Sequence, residues 1–481
     1  MSSVAMSHRL GDLTDWFSGG TPSKKKPEYW GEDIPWISAS SMGGSRYFDS
    51  DLKITTEGLE AGSRLAPKGS ILLLVRGSTL HKRIPVGIAE REVAFNQDVK
   101  AIRVKPELIA GQVTDELYLY YWLKANEQLL LEMVEHTGIG AGKLDTKRLQ
   151  NLEIELPPWH EQRKIVTTAT ALDEKEILNS HINQTLEQMA QAIFKSWFVD
   201  FEPVKAKIAA LEAGGSEEDA LLAAMQAISG KSEAELTRLQ AERPEQYAEL
   251  RATAELFPSA MQDSELGEIP EGWNVSQIGG EVTVVGGGTP STKNPDFWEN
   301  GEINWTSPKD LSNLADKVLV ETERKVTEAG LAKISSGLLP VDTVLMSSRA
   351  PVGYLALAKI PVAVNQGYIA MKCEKALSPE FVIQWCAAHM DEIKSRASGT
   401  TFAEISKKNF KIIPVVMPTE SLISIYSKQA SSFYKAIENN VRESDTLAKL
   451  RDSLLPKLLS GELSISNAED QLTEEAEPAN V

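Results

Sequence analysis

The polar side chains that could do chemistry in this sequence are mainly basic, and they occur in short groups. In the first third of the chain these are Lys24, Lys25, Lys26, Arg76, His81, Lys82, Arg83, Lys143, Lys147 and Arg148. In the second half they are Lys293, Arg349, Lys407 and Lys408. Lysine and arginine donate hydrogen bonds to acceptors on anionic or polar ligands, so these groups suggest binding. For any single lysine, a solvated surface position is an equally good explanation.

Motifs for catalysis are absent from the sequence, which has no GxxxxGK[ST] phosphate-binding loop, no HExxH and no GxSxG. The glycine run at 286–288 is followed by Thr-Pro-Ser-Thr, and we interpret it as a turn that tolerates positive φ. The six histidines lack metal-ligand spacing, and Cys373 and Cys386 are too few for a disulfide framework or a thiolate metal site. We therefore predict that this chain carries no catalytic group and no metal.

The composition is that of a soluble globular protein with several domains. The 481 residues are 42% hydrophobic and 25% charged, and this length predicts about two to four domains. No apolar run approaches the roughly 18 residues of a membrane span, and the N-terminus has no apolar signal core. Together with the low cysteine content, these features predict a cytoplasmic protein.

The net charge of −18 at first argues against binding to nucleic acid, which attracts basic surfaces. The acidic excess is unevenly distributed, however. Residues 1–158 carry 19 Lys and Arg against 21 Asp and Glu, and residues 265–418 carry 15 against 18. Residues 159–264 carry 10 against 18, and 419–481 carry 6 against 11. The two near-neutral stretches can therefore present local basic surfaces.

These two near-neutral stretches are copies of one sequence. GGTPSKKKPEYW at 19–30 recurs as GGTPSTKNPDFW at 287–298, and VAFNQ at 93–97 recurs as VAVNQ at 362–366. Residues 137–157 align without gaps on 398–418, whereas the first copy has seven additional residues around GSTLHKR. Matches in this order and over this length establish an internal duplication.

Each copy predicts a compact α+β domain followed by a long helix. Short β-type runs bounded by Gly and Pro fill 1–158 and 265–418, and each copy contains one helical pattern. Beyond Pro157-Pro158 and Pro418, long scaffold helices are predicted over 159–202 and 419–463. Residues 203–264 predict a connector of short helices with Ser216 and Ser232 as N-caps. The acidic tail, 464–481, is predicted to be disordered.

The two predicted long helices carry a seven-residue repeat of mainly apolar residues, which indicates packing against another helix. The series are Ile165, Leu172, Asn179, Leu186 and Ile193 in the first helix, and Tyr426, Phe433, Asn440, Leu447 and Leu454 in the second. Asn179 and Asn440 stand in the middle of their series. We hypothesise that the helices pack antiparallel as in a coiled coil, and that these asparagines meet and fix the register. The alternative is that both face solvent.

Several segments in combination resemble the specificity subunits of type I restriction–modification systems. They are SGGTPS with YW and IPWI, PPWHEQRKIV, IFKSWFVDFEPVKAK, SELGEIPEGW and RDSLLPKLLSGEL. The resemblance covers nearly the whole chain, and the combination is highly specific. The start of the second long helix, PTESLISIY, departs from the pattern because it lacks the Glu-Gln of the first.

The resemblance implies a non-catalytic subunit with two target-recognition domains separated by two antiparallel helices. Each domain would recognise one half of a split, asymmetric sequence in double-stranded DNA, and the helices would set the spacer between the halves. Two modification subunits would dock on the scaffold and methylate adenine with S-adenosylmethionine. Restriction subunits would add translocation and cleavage with ATP and Mg. The cofactors are therefore expected on the partner subunits, and none on this chain.

On this interpretation the basic residues named above are DNA-binding candidates, because base edges and phosphates accept hydrogen bonds from such donors. Residues shared by both copies, such as Asn96-Gln97 and Asn365-Gln366, are expected to fix turns or touch phosphates. Specificity is expected where the copies differ, as at 78–84 and at 39–50 against 306–317. Aromatic residues are expected to fill cores rather than stack on bases: Trp30, Trp36, Trp298 and Trp305 in the domains, and Trp197, Phe198 and Phe201 in the scaffold.

Two other classes of function stay open at this point. The chain could be a self-contained methyltransferase or nuclease, although the sequence at 294–297, Asn-Pro-Asp-Phe, lacks the second proline of a methyltransferase loop. It could also be an adaptor whose two β-rich domains bind protein. Failure to select any sequence from random duplex DNA would favour the adaptor, and binding of labelled S-adenosylmethionine by the purified chain would favour the enzyme.

Overall fold

The computed structural model describes residues 6–137, 140–312, 314–399 and 403–463. The chain forms two compact units, of which the first combines Met1–Lys175 with Thr446–Val481 and the second is Glu176–Asp445. Each unit contains one copy of the duplicated sequence and a part of both long helices. The tail at 464–481 lies outside the described residues, so its disorder stays a prediction.

The first unit is built around a five-stranded sheet. Its strands, in spatial order, are Thr14–Ser18, Val99–Val104, Ile71–Leu74, Val86–Ala89 and Arg46–Tyr47. A four-stranded sheet contains Lys53–Ile54, Trp30–Ile37, Val93–Phe95 and Leu65–Ala66, and a three-stranded sheet contains Val134–Thr137, Ala141–Leu144 and Arg76–Gly77. Met6–Arg9 pairs with Glu153–Leu156. The continuous apolar run Ile71–Leu74 is buried at every position, as expected for a central strand covered on both faces.

The second unit repeats this arrangement. Its five-stranded sheet has the order Thr283–Val285, Tyr368–Lys372, Val344–Ser347, Leu355–Ala358 and Val318–Leu319. A smaller sheet contains Arg324–Val326, Ile303–Thr306 and Ala363–Val364, and two strand pairs join Asn274–Gln277 with Pro414–Met417 and Met261–Ser264 with Gly267–Pro270. In both large sheets only the last strand pair is parallel. The same strand order in both units confirms that the sequence repeat is a structural repeat of an α+β domain.

Short helices pack on these sheets in both units. In the first they are Leu10–Leu13, Thr56–Gly62, Pro106–Ala110, Glu116–Ala125, Glu127–Glu132 and Thr146–Gln150, with 3₁₀ turns at Pro27–Tyr29 and Ser78–His81. In the second they are Ile278–Glu281, Pro308–Ser312, Glu328–Leu331, Pro379–Ala388, Met390–Ser395 and Lys407–Lys411, with a 3₁₀ turn at Pro295–Phe297. The helical pattern of each copy forms a buried helix with a side-chain N-cap, Asp115 in the first and Ser378 in the second.

The two long helices span Trp159–Phe198 and Glu420–Leu459, 40 residues each. At 1.5 Å per residue, each helix is about 60 Å long. In the second unit they pack antiparallel, because Phe194 lies against Tyr426 near one end while Asn179 contacts the backbone of Asn440 further along. The predicted antiparallel pair of scaffold helices is therefore confirmed.

The asparagines at the middle of the helices lie in one polar layer. Asn179 is fully buried, and its amide nitrogen donates to Glu443 at 2.7 Å and to the Asn440 carbonyl oxygen at 3.4 Å. The Asn440 side chain donates to Asn183 at 2.8 Å rather than to Asn179. The alternative in which both asparagines face solvent is wrong for Asn179, whereas their role in fixing the register stays a prediction.

The connector consists of the helices Glu202–Glu212, Glu217–Ser229, Glu233–Glu242 and Pro244–Glu255. Ser216 and Ser232 are N-caps as predicted, and each forms a complete capping box with Asp219 or Glu235. At the end of the first long helix, Trp197, Phe198 and Phe201 are at least nine-tenths buried in the core of the second unit, which confirms the predicted core role.

No helix among the described residues is both long enough and apolar enough to cross a membrane. Cys373 and Cys386 are free thiols, and burial raises the pKa of each.

Candidate nucleic-acid interface

Both repeats hold the GGTPS segment against the turn that begins at the Asn-Gln pair of VAxNQ. In the first repeat Thr21 donates to Gln97 Oε1 at 2.8 Å, and the side-chain Oδ1 of Asn96 accepts from the backbone N–H of Asp98 at 3.0 Å. In the second repeat Thr289 donates to Gln366 Oε1 at 2.7 Å. Asn365 also repeats its turn contact, accepting from Gly367 N–H at 2.8 Å. The shared Asn-Gln pairs therefore fix turns, which is the first of the two roles predicted for them.

The paired tryptophans build a small core beneath the same loop. Trp36 and Trp305 are almost fully buried, and each donates its Nε1 hydrogen at 3.1 Å to a glycine carbonyl, Gly20 or Gly288. Trp30 packs edge-on against Trp36, and Trp298 does the same against Trp305. All four tryptophans are thus occupied within the domains, in agreement with the predicted core role. Arg324 lies over the Trp298 ring with its guanidinium carbon 3.5 Å from the centroid.

In the first repeat the structure brings Arg76, Lys143 and Lys147 together in one open cavity of about 540 Å³. Arg76 and Lys143 are opposite each other in an antiparallel strand pair, and Lys147 lies in the helix that follows directly. Gln97 and Lys100 line the same cavity. Four cationic side chains therefore converge on a concave surface, which is the arrangement expected for contact with phosphates and base edges.

One carboxylate, that of Asp145, lines this cavity, and it already accepts hydrogen bonds from the protein backbone. Asp145 is the N-cap of the helix Thr146–Gln150 and accepts from the backbone N–H groups of Lys147 and Arg148. These hydrogen bonds lower the pKa of Asp145. Lys100 donates to Ser18, and partial burial lowers its pKa. The surface of the cavity is therefore dominated by donors.

Other candidates of the first repeat do not line this cavity. Lys24, Lys25 and Lys26 are exposed on the loop before Pro27–Tyr29, where Lys26 donates to the Tyr29 hydroxyl at 2.9 Å. His81 ends the 3₁₀ turn of the seven-residue insertion, with its Nε2 atom 3.1 Å from the Gly140 carbonyl oxygen. Lys82, Arg83 and Arg148 are exposed. Whether these residues contact DNA stays a prediction.

In the second repeat Arg349 lines a cavity of about 460 Å³ with Ser307, Lys309, Tyr354 and Asn365 among its other walls. Lys407 and Lys408 are exposed in the first turn of the helix Lys407–Lys411, and Lys293 is exposed on the loop before Pro295–Phe297. These three lysines do not line the Arg349 cavity. The cavity of the second repeat is thus lined by fewer cationic side chains than the cavity of the first.

Three charged residues beside these cavities were missed by sequence reasoning. Lys100 lies inside a strand and carried no local signal, and Lys309 lies in a stretch without a clear match in the other copy. Glu404 pairs with Arg349, their charged groups 3.7 Å apart. The gap-free alignment could have revealed Glu404, because it places this residue on Lys143.

Among the residues that the structure describes, no three His, Cys, Asp or Glu side chains are grouped closely enough to hold a metal ion. The predicted absence of a cofactor from this chain stays a prediction.

Comparison with known proteins identifies a family model and relatives that match this chain. A family model described as the type I restriction modification DNA specificity domain matches residues 5–188 and 270–441, one match in each repeat. The HindI specificity subunit of Haemophilus influenzae is 35% identical over 356 residues, which cover 72% of this chain and 77% of that protein. The MjaIX specificity subunit of Methanocaldococcus jannaschii is 25% identical over 95% of this chain and 93% of that protein. The crystal structure of an S subunit from M. genitalium aligns over 94% of this chain and 95% of that chain, with 15% identity and a TM-score of 0.47.

Proposed function

The chain belongs to the type I restriction–modification DNA specificity family, and from that premise we propose that its two repeats recognise the two halves of one split DNA target. The observation that carries the proposal is that the two repeats share a frame but differ in their exposed charges. The frame consists of the hydrogen bonds between GGTPS and the Asn-Gln pair and of the tryptophan cores. The hydrogen bonds of the frame recur in both repeats, whereas the charged side chains around Arg76 and Arg349 do not. Two similar domains with different donor and acceptor groups can bind two different sequences on one asymmetric target.

In the first repeat, the cavity with Arg76, Lys100, Lys143 and Lys147 supports contact with the DNA backbone or with acceptor-rich base edges. Lysine and arginine neutralise phosphates and release condensed counterions, so this contact makes affinity depend steeply on salt. The overall charge of −18 means that the chain alone has a weak electrostatic attraction for DNA. Partner subunits would supply further phosphate contacts.

We assign the spacer between the half-sites to the two long helices. A helix of about 60 Å exceeds the roughly 34–36 Å between major-groove sites one DNA turn apart, so such a pair can set a distance of this order. The buried polar layer at Asn179, Asn183 and Asn440 would hold the helices in one register.

In this proposal the chain is the non-catalytic part of a larger cytoplasmic assembly. Two modification subunits dock on the scaffold and methylate adenine with S-adenosylmethionine, and restriction subunits cleave DNA with ATP and Mg. The base to be methylated would leave the duplex and enter the partner's active site.

The experiment that tests the proposal is selection from random duplex DNA by the chain assembled with its modification subunit. The expected result is a split consensus with two different half-sites and a fixed spacer. Exchange of residues 1–158 for the first domain of a relative should alter one half-site only. Failure to select any sequence would favour an adaptor, and binding of labelled S-adenosylmethionine by the purified chain would favour a self-contained methyltransferase.

A further inference from the structure

The two repeats place oppositely charged residues at one equivalent position beside their shared arginine. In the first repeat Lys143 is opposite Arg76 in an antiparallel pair of strands. In the second repeat Glu404 is opposite Arg349 in an antiparallel bridge. The gap-free alignment of 137–157 on 398–418 also equates Lys143 with Glu404. Two independent observations, backbone pairing and sequence alignment, therefore identify the same charge reversal.

The surroundings extend this difference. Lys143 shares its cavity with Lys100 and Lys147, so the first site offers hydrogen-bond donors almost exclusively. At the second site Glu404 adds an acceptor beside the Arg349 guanidinium. Lys309, the other cation of that cavity, is 2.7 Å from Glu323.

Stability does not account for the Arg349–Glu404 pair. Its nitrogen and oxygen are 3.7 Å apart, and the two side chains are 39% and 46% exposed. Ion pairs with this geometry and exposure contribute little to folding. A carboxylate beside phosphates would also weaken DNA binding by charge repulsion. A carboxylate that faces base edges, in contrast, accepts a hydrogen bond from the exocyclic amino group of cytosine.

Resting on the proposed function, we propose that Glu404 is a specificity-determining residue of the second repeat. Its carboxylate accepts a hydrogen bond from the N4 amino group of a cytosine in the second half-site. It also holds the Arg349 guanidinium for a neighbouring guanine, whose O6 and N7 atoms accept from arginine. Lys143 cannot accept a hydrogen bond, so the first repeat does not recognise cytosine in this way.

The test uses the full chain assembled with its modification subunit and compares the sequences that each variant selects from random duplex DNA. Glu404→Lys should remove the cytosine preference at one position of the second half-site and weaken binding to the original target about 10- to 100-fold. Glu404→Gln should shift that position towards adenine, which glutamine contacts through N6 and N7. The first half-site should be unchanged in both variants.

Glu302→Lys is the matched control, because Glu302 is an exposed carboxylate of the same repeat and the charge change is the same. It should leave both half-sites unchanged. If Glu404→Lys and Glu404→Gln both keep the original second half-site, or change affinity equally for all duplexes, the role of Glu404 is overturned and the proposed function stands. If the unmodified assembly selects no split sequence, the proposed function fails, and this inference with it.

Discussion

The two repeats share one frame but attach it to the long helices through different buried polar contacts. In the first repeat the Tyr121 hydroxyl donates to Asp173 at 2.9 Å, and Arg451 donates to the other oxygen of Asp173 at 2.6 Å. Asp173 and Arg451 are 2% and 9% exposed. The contact therefore depends on a buried ion pair.

At the equivalent place in the second repeat the contact is mostly neutral. The helix alignment equates Tyr121 with Gln384 and Asp173 with Tyr434. Gln384 donates to the Tyr434 hydroxyl at 2.8 Å and to Glu187 at 2.9 Å. Glu187 also accepts from Lys317 at 2.7 Å, but this pair is partly solvated. The comparison shows that the duplicated fold accommodates either an ion pair or a mostly neutral hydrogen bond at this position. Removal of one partner should therefore lower the free energy of unfolding by different amounts in the two repeats.

The largest expected effect is loss of stability on breaking the ion pair of the first repeat. Asp173→Ala removes the buried carboxylate that faces the Arg451 cation, whereas the contact of Arg451 with the largely exposed Asp452 remains. The loss of the buried carboxylate should lower the free energy of unfolding by about 3 kcal/mol. Tyr434→Phe at the equivalent position removes only a hydroxyl and should cost about 1 kcal/mol. Urea unfolding of the purified chain measures both.

The control for this prediction is the double variant Asp173→Leu with Arg451→Leu. Replacing both charges by apolar side chains removes the buried cation together with its buried carboxylate, so most of the lost stability should return. Equal costs for Asp173→Ala and Tyr434→Phe would show that the two contacts do not differ as the geometry indicates.

The next effect concerns DNA binding by the two shared arginines. Arg76→Ala should weaken binding similarly for all duplexes and reduce the salt dependence by about one counterion, since its cavity is a cluster of donors. Arg349→Ala should cost about 1–3 kcal/mol on the selected target and relax one base position of the second half-site. Titrations of the assembled complex at several salt concentrations distinguish the two results. If both variants changed affinity, salt dependence and base preference in the same way, the proposed difference in DNA contacts between the two repeats would be wrong.

Features that depend on local patterns were predictable from the sequence. The α+β domains, the long helices and the caps at Ser216 and Ser232 follow from periodicity, turn residues and capping preferences, all of which act within a few residues. The duplication was predictable because the two copies still match in sequence. The tryptophan cores were also predictable, because large aromatic residues that recur with fixed neighbours usually serve packing.

The rest of the molecule depends on contacts between distant residues. Tyr121, Asp173 and Arg451 meet only after the strands and helices have packed, and none of the three has a local signal for the others. The basic cavity is similar, since Lys100 and Lys143 lie in two different sheets and share a cavity only in the folded domain. Pairing of strands therefore decided which of the many exposed lysines share one site.

A smaller effect is expected at the polar layer where the long helices cross. Asn440→Leu removes the donor to Asn183, whose side chain is almost fully buried. The variant should lose about 1 kcal/mol of stability and should select targets with a broader range of spacer lengths, because a buried polar contact specifies helix register. Selection from duplexes with varied spacers checks this. An unchanged spacer preference together with unchanged stability would contradict a register role.

The smallest expected effect is the pH dependence that Asp316 gives to the stability of the second repeat. Asp316 accepts a hydrogen bond from Asn183 at 2.9 Å, and partial burial raises the pKa of its carboxyl group, helped by the nearby charge of Glu187. A raised pKa means that folding favours the protonated form. The stability from this group is therefore fully present below the ordinary aspartate pKa of about 3.9 and is lost as pH rises through the raised value.

Asp316→Asn keeps an oxygen acceptor for Asn183 but cannot ionise. Relative to the unmodified chain, the variant should therefore become more stable as pH rises from about 4 to about 8, with little difference at the acidic end. Urea unfolding of both proteins across this range measures the change. The first repeat has a glycine, Gly44, where strand alignment places Asp316, so no matching contribution arises there. A stability difference that is constant with pH would show that Asp316 has the same pKa in the folded and unfolded chain.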